Sequence, residues 1–409
     1  MSKVITDEKQ IDELLDRGVE IIYPNRKDLK KLLMSGEQIK LYCGYDPSAP
    51  FLHIGNAISI NKLSQFQKLG HQVIFLIGDF TGMIGDPTDK GATRKKLTRE
   101  EVLENAINYE KQAGAFLNFK GRNPAKIKYN SEWSDKMTFK DLIELSSHFT
   151  VQQMIQRDMF QDRIENEKPI YLHEFLYPLA QGNDSVVMDV DLELGGNDQM
   201  FNMMAGRDLM KSLGMKEKFV MTLRLLADDS GKKMGKTEGN AVFLDQDPNN
   251  MYGIIMSWPD GIIGTAFELC TQLSMKEIKE INKQLKDSKM NPRDLKMKLA
   301  KEITRIFHNE EDSNSAEENF IKTVQKKEIP EEIQAFPSPA PKINIIEALV
   351  MITKLASSNN EARRLINQGA VKVDGIKVND FEMEIDTENS NIIIQKGKRG
   401  CGELLKYKK

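Results

Sequence analysis

The stretch Ile39-Lys40-Leu41-Tyr42, followed by Asn56 to Leu69 and by Val73-Ile74-Phe75-Leu76-Ile77, decides how this chain folds. The first piece predicts a short strand, the second a helix closed by Gly70, and the third a buried strand, apolar throughout. Together they form one strand-helix-strand unit. Farther along, Thr98 with Glu101 and Thr138 with Asp141 stand where helix-start caps belong, ahead of apolar-periodic stretches. Lys126 to Asn130 and Val186 to Leu194 predict further strands. Strands and helices that alternate in this way over 1–227 indicate an α/β domain with a doubly wound, Rossmann-like parallel sheet.

From 228 to 325 the pattern is nearly all helical, with Met275 to Leu285 and Leu295 to Phe307 the clearest amphipathic pieces. This predicts a second, helical domain. Residues 326–342 carry Pro330, Pro337, Pro339 and Pro341 among charges, which suits an extended linker. Residues 343–409 then stand apart as a third, small domain.

The 409 residues carry a net charge of -3, which excludes a chain held to nucleic acid by bulk charge alone. The charge is unevenly spread. After residue 340 there are 12 Lys and Arg against 9 Asp and Glu, so the tail carries +3 and the first 340 residues -6. No apolar run approaches the roughly 20 residues a bilayer span needs, and Met1 to Gln10 lacks the apolar core of a signal peptide, so a cytoplasmic location is expected. Cys43, Cys270 and Cys401 are odd in number and contain no Cys-x-x-Cys pair, which argues against a disulfide framework or a cysteine zinc site.

Two segments carry the chemistry. The first is Tyr42-Cys-Gly-Tyr-Asp46-Pro47-Ser48-Ala-Pro-Phe-Leu-His53-Ile54-Gly55-Asn56, running from the first strand into the helix. Free N–H groups and the dipole at a helix N-terminus collect phosphate, and Gly55 allows close approach to the backbone. Taken alone, His53 reads first as a helix-capping or core histidine, because short His/Gly motifs are common. The second is Lys232-Lys233-Met234-Gly235-Lys236-Thr237, after the turn Asp228-Asp229-Ser230-Gly231. Lysines on such a loop can close over a polyphosphate and neutralise charge developing on a leaving pyrophosphate.

In this order and spacing the two segments resemble the signature motifs of class I aminoacyl-tRNA synthetases, usually His-Ile-Gly-His and Lys-Met-Ser-Lys-Ser. This chain departs from them at Asn56, Gly235 and Thr237. Leu176-Tyr177-Pro-Leu-Ala-Gln181-Gly-Asn-Asp184, Gly195-Gly196-Asn197-Asp198-Gln199 and Gly82-Met-Ile-Gly-Asp86-Pro87 are similar to the amino-acid-binding segments of bacterial-type tyrosyl-tRNA synthetases. That resemblance covers nearly the whole chain. It implies that Tyr42 and Asp184 contact the phenol of tyrosine, while Asp86, Tyr177 and Gln181 hold its ammonium. Gln199 would lie near the carboxylate and Asp198 on the ATP ribose. Asp46, Gly55 and Asn56 would join them around ATP, and His53, Ser48, Lys233 and Lys236 would stabilise the transition state. The residue chemistry agrees, because a phenol O–H is best read by groups left unpaired beside phenylalanine, a rule for which this enzyme family is itself the usual illustration.

The tail, with Arg363-Arg364 and Gly369-Ala-Val-Lys372-Val-Asp-Gly375, resembles the small α+β RNA-binding domain named after ribosomal protein S-four. Arg363, Arg364, Lys372 and Lys377 are then the candidates for phosphate contacts. The resemblance further implies ATP as a substrate travelling with Mg²⁺, a tRNA partner and a homodimer. No protein-held metal is expected. Asp189, Asp191 and Glu193 alternate with Met188, Val190, Leu192 and Leu194, and are read as the polar face of a strand rather than as metal ligands.

Overall fold

Six strands form the main sheet: β1 (Val19–Tyr23), β2 (Lys40–Tyr45), β3 (Gln72–Ile77), β4 (Lys126–Tyr129), β5 (Leu192–Gly196) and β6 (Phe219–Leu223), in the order β1-β6-β5-β2-β3-β4. The computed structural model describes residues 3–88, 97–227, 241–287, 290–325, 333–397 and 400–408. Strands β2 to β6 pair in parallel, and β1 joins the edge antiparallel to β6. The expected doubly wound parallel sheet is therefore present, with an antiparallel edge strand added. Its order runs outward in both directions from the β2/β5 neighbours, which is the point where ligands bind in such sheets, beyond the carboxyl ends of the strands.

The helix Ile54–Lys68 connects β2 to β3, capped at one end by His53 and followed at the other by Gly70, whose φ of 92° needs the freedom of glycine. Thr98 and Thr138 do cap helices, Arg99–Ala106 and Phe139–Ser147, each with a reciprocal bond from the residue three positions on.

One expected strand is corrected. Val186 to Met188 finish the helix Leu176–Met188, which Asp189 closes in the left-handed conformation at φ 46°, and β5 begins only at Leu192. The alternating apolar and acidic residues mimic a strand's period across this boundary. Asp tolerates the left-handed turn because its short polar side chain can bond locally.

The chain divides into two compact units, Met1–Asn309 and Glu310–Lys409. In the first, the stretch after the sheet is helical as expected, with Pro248–Met256, Ile263–Cys270, Met275–Lys286 and Pro292–Phe307. In the second, the strands are β7 (Ala335–Pro337), β8 (Lys342–Asn344), β9 (Val371–Val373), β10 (Ile376–Lys377), β11 (Glu384–Asp386), β12 (Ile392–Lys396) and β13 (Gly400–Leu405). They form a sheet of order β10-β9-β12-β13-β7 and a separate β11-β8 pair. The Pro-rich stretch read as linker contributes β7, which pairs parallel with β13, and Phe336 packs on that unit's core. An edge position explains why a strand tolerates Pro337.

Candidate active site

The parallel pairing of β2 with β3 and β5 brings the ends of three strands together. Asp46 to Asn56 follow β2, Asp86 follows β3 and Asn197 to Gln199 follow β5, while Tyr177, Gln181 and Asp184 lie on the helix Leu176–Met188. Gly44 is exposed although it sits in the central strand, its nearest hypothetical side-chain neighbour being Leu76 Cδ2 at 3.9 Å. Bare backbone is therefore exposed at this point of the central strand.

Asp46 follows directly. Its Oδ1 accepts from Thr81 Oγ1 at 2.7 Å and its Oδ2 from the Tyr177 hydroxyl at 2.8 Å. Gly78 must lack a side chain here, because a Cβ would collide with the Asp46 carboxylate and the Thr81 hydroxyl. The peptide N–H of Ser48 closes a turn on the Asp46 carbonyl at 2.7 Å, and the Ser48 side chain is exposed. His53 ends the loop as the helix cap. Its Nδ1 accepts from the Gly55 N–H at 3.1 Å, and Asn56 Oδ1 accepts from the His53 N–H at 3.0 Å. With Nδ1 an acceptor, the neutral imidazole carries its proton on Nε2. The cap reading and the phosphate-site reading of His53 are thus compatible.

The deepest part of the site is Asp184, 2% exposed. Its Oδ1 accepts from Trp133 Nε1 at 2.8 Å and its Oδ2 from Asn130 Nδ2 at 3.2 Å. Burial raises its carboxyl well above the ordinary carboxylate range, with those two donors pulling the other way. Asn130 is itself fixed, donating to Thr81 Oγ1 and accepting from the Phe80 N–H. A continuous chain of bonds thus runs from Tyr177 through Asp46, Thr81 and Asn130 to Asp184.

Tyr42 lies fully inside, with burial the main reason that its phenol titrates well above the usual range. Its hydroxyl bonds Ser185 Oγ at 2.9 Å. Gln181 donates to Glu193 Oε1 at 2.9 Å, leaving its amide oxygen as an acceptor. On the facing loop, Gln199 Nε2 donates to Asp86 Oδ2 at 2.6 Å, and Asn202 donates to Gln199 Oε1 at 3.0 Å. Asp86 also accepts from the Thr88 N–H and hydroxyl. Asp198 is exposed at the carboxyl end of β5.

Of the predicted residues, Tyr177 is bonded to Asp46 and Gln199 to Asp86, while Tyr42, Gln181 and Asp184 are held by Ser185, Glu193 and the Trp133–Asn130 pair, which sequence reading did not single out as site residues. Lys233 and Lys236 lie outside the described residues. Sequence reading missed Asn130, Trp133, Thr81 and Ser185. It also placed Glu193 on a polar strand face, whereas Glu193 is 2% exposed and paired with the fully buried Lys218. A lone charged residue in an apolar run was the available signal, since such a residue is buried only with a partner. Among the described residues, no group of three or more His, Cys, Asp or Glu is placed to hold a metal ion.

In the other unit, Arg363, Arg364, Lys372 and Lys377 are all exposed. Lys372 stands directly opposite Lys377 across β9 and β10. Like charges so placed repel, an arrangement that favours a bound anion.

Residues 34–325 match the family of class I tRNA synthetases (W and Y), and residues 325–401 match the tyrosine-tRNA ligase SYY-like C-terminal domain. A tyrosine-tRNA ligase 2 from Clostridium acetobutylicum is 44% identical over 405 residues, covering 97% of this chain and 99% of that protein. A tyrosine-tRNA ligase from Thermotoga maritima is 42% identical over 396 residues, covering 97% of each. Among solved structures, a C-terminally truncated mitochondrial tyrosyl-tRNA synthetase from Coccidioides posadasii superposes with a TM-score of 0.62 at 25% identity, covering 76% of this chain and 91% of that one. A tyrosyl-tRNA synthetase from Archaeoglobus fulgidus, complexed with L-tyrosine, gives 0.60 at 21% identity over 76% of this chain and all of that one, a likeness of fold.

Proposed function

The chain belongs to the bacterial tyrosyl-tRNA synthetases, class I enzymes that activate tyrosine with ATP and charge tRNA with it, and from that premise we propose how its own residues do the work. One observation carries the reading: a buried carboxyl, Asp184, is joined through Asn130, Thr81 and Asp46 to Tyr177, a buried phenol, Tyr42, is held by Ser185, and the chain runs on from Asp46 to the His53 helix cap. Tyrosine enters phenol first. Asp184 and Tyr42 meet its hydroxyl, Asp86, Tyr177 and Gln181 surround its ammonium, and Asp46, held by the Tyr177 hydroxyl, faces ATP. Phenylalanine in the same place leaves unfilled the further hydrogen-bonding positions that Asp184 and Tyr42 keep beside Trp133, Asn130 and Ser185, at a cost of about 1–3 kcal/mol for each.

The tyrosine carboxylate oxygen attacks the α-phosphorus of ATP, which enters as its magnesium complex. The bond to the β-phosphate breaks and pyrophosphate leaves. Gly44 and Gly55 let the nucleotide lie against backbone, Asp198 takes the ribose, and His53 donates from Nε2 to the phosphate oxygens. Ser48, Lys233 and Lys236 add hydrogen bonds and charge as the leaving group forms, so catalysis rests on positioning and electrostatic stabilisation. In the second step a hydroxyl of the terminal adenosine of the tRNA attacks the tyrosyl carbonyl, AMP leaves, and the hydroxyl proton departs with it.

The remaining assignments follow the same reading. Residues 1–227 bind tyrosine and ATP, 228–309 carry the lysine loop and the helical domain, and the second unit, Glu310–Lys409, holds tRNA through Arg363, Arg364, Lys372 and Lys377. A homodimer is supported by the helix Phe139–Ser147, which buries none of its residues and exposes Phe139 and Ile143, one turn apart, at 78% and 58%. Among the described residues no helix is long and apolar enough to cross a membrane, and a cytoplasmic setting fits the substrates.

The test is tyrosine-dependent exchange of labelled pyrophosphate into ATP, followed by charging of tRNA. Exchange that depends on tyrosine but not phenylalanine is expected. Exchange with neither amino acid would overturn the assignment of the pocket.

A further inference from the structure

The loop from Pro47 to Leu52, between the Asp46 turn and the His53 cap, carries Ser48, and side chains with no part in the steps above hold its backbone. Asn105 Nδ2 donates to the Pro47 carbonyl at 2.9 Å, and the Tyr109 hydroxyl to the Ala49 carbonyl at 2.8 Å. Gln112 bonds twice, donating from Nε2 to the Pro50 carbonyl at 3.2 Å and accepting the Leu52 N–H on Oε1 at 2.7 Å. At the end of the loop, the Leu52 carbonyl accepts from the Leu244 N–H and the Ile54 N–H donates to the Val242 carbonyl, each at 2.9 Å.

The three side chains are spaced by four and three along the helices Arg99–Ala106 and Tyr109–Ala113, the interval that brings successive turns to one face. Pro47 and Pro50 have no N–H and cannot extend a strand ladder, so the carbonyls of this loop must find donors elsewhere. Tyr109 is 2% exposed, and burial is the main reason that its phenol titrates well above the usual range, so it remains a donor. The bonds fall on both neighbours of Ser48, whose own N–H is tied to the Asp46 carbonyl at 2.7 Å. Its backbone is thus fixed from both sides while its side chain stays exposed. Such support matters for a group that must meet a reacting phosphate, because a misplacement of about 1 Å can lower a rate a hundredfold.

We propose that Asn105 and Tyr109 are positioning residues for adenylation, which set where the Ser48 hydroxyl stands as pyrophosphate leaves. The proposal rests on the tyrosine-activating reading of the site. The groups assigned to tyrosine lie outside this loop, so the support acts on the rate of the chemical step and leaves tyrosine binding alone.

Single-turnover formation of tyrosyl-AMP by the full chain reads that rate and the tyrosine Kd separately. Tyr109→Phe keeps the ring and removes the bond to Ala49. The rate should fall about tenfold, the size of effect one hydrogen bond carries, with the tyrosine Kd unmoved. Asn105→Ala, at the other neighbour of Ser48, should act in the same direction. Ser48→Ala should itself slow the step, and in that background Tyr109→Phe should slow it no further, whereas a merely structural role would give the same fall in both backgrounds. Equal falls in the two backgrounds, an unchanged rate in Tyr109→Phe, or an unchanged rate in Ser48→Ala each overturn the proposal. Where Tyr109→Phe fails to fold, the half-exposed Asn105→Ala carries the same comparison. Absence of tyrosine-dependent pyrophosphate exchange in the unaltered protein would instead overturn the reading of the site beneath it.

Discussion

The Tyr177 hydroxyl donates to Asp46 Oδ2 at 2.8 Å, joining the helix that lines the amino-acid site to the turn that leads to the nucleotide motif. Burial is the main reason that this phenol titrates well above its usual range, and so it remains a donor. Tyr177→Phe removes the bond while keeping the ring. We expect kcat/KM for tyrosine in pyrophosphate exchange to fall about tenfold, the size of one hydrogen bond to a charged group. An unchanged value would show that Asp46 is held well enough by Thr81.

His53 both caps a helix and faces the phosphate site, and the two roles separate by mutation. His53→Ala should cost about 1 kcal/mol of folding stability from the lost cap and on the order of 2–4 kcal/mol of transition-state stabilisation. His53→Asn should restore the cap but not the rate. Urea unfolding and single-turnover adenylation read the two effects, and near-normal adenylation in both variants would remove His53 from the catalytic group.

Lys218→Met alone leaves Glu193 in the interior without its partner. The expected loss is about 3–5 kcal/mol of stability, most of it recovered when Glu193→Leu is added, because the desolvation penalty of both ions then disappears. Equilibrium unfolding of the two variants decides this, and a double variant no more stable than the single one would count against it.

His71 is fully buried, and burial pushes its imidazole down from 6.5 to about 4. Protons therefore bind the unfolded chain more readily than the folded one. The stability tied to a neutral His71 is complete above about pH 6.5 and is lost as the pH falls through about 4, amounting to roughly 3 kcal/mol. A flatter pH profile of urea unfolding over that window is expected for His71→Asn, and an identical slope would refute the assignment.

A chain ending at Asn309, where the first compact unit ends, should exchange pyrophosphate at close to the full rate but fail to charge tRNA. Changing Arg363 and Arg364 together to Ala should weaken tRNA binding more mildly and lower its salt dependence, since fewer phosphates are neutralised. Full charging by the shortened chain would show that the tail is not the RNA-binding element.

Much of this protein was legible in its sequence because local signals suffice for some features. Apolar runs such as Val73 to Ile77 and caps such as Thr98 with Glu101 act over a few residues, and the structure follows them. The motif residues after β2 and β5 were recognisable through their resemblance to the segments of a known family, and only at His53 to Asn56 did the helix N-terminus add a physical reason. The strands β1 and β6 went unread, as edge strand β1 is mostly exposed and shows no alternation, with Ile21 44% exposed.

What tertiary structure alone decided is how the polar groups pair. Asn130 and Trp133 on Asp184, Ser185 on Tyr42, and Lys218 on Glu193 lie 54, 51, 143 and 25 positions apart. No local pattern encodes such a contact. A buried polar atom states in the sequence only that it requires a partner, and the partner is chosen when the sheet brings distant strand ends within hydrogen-bond reach.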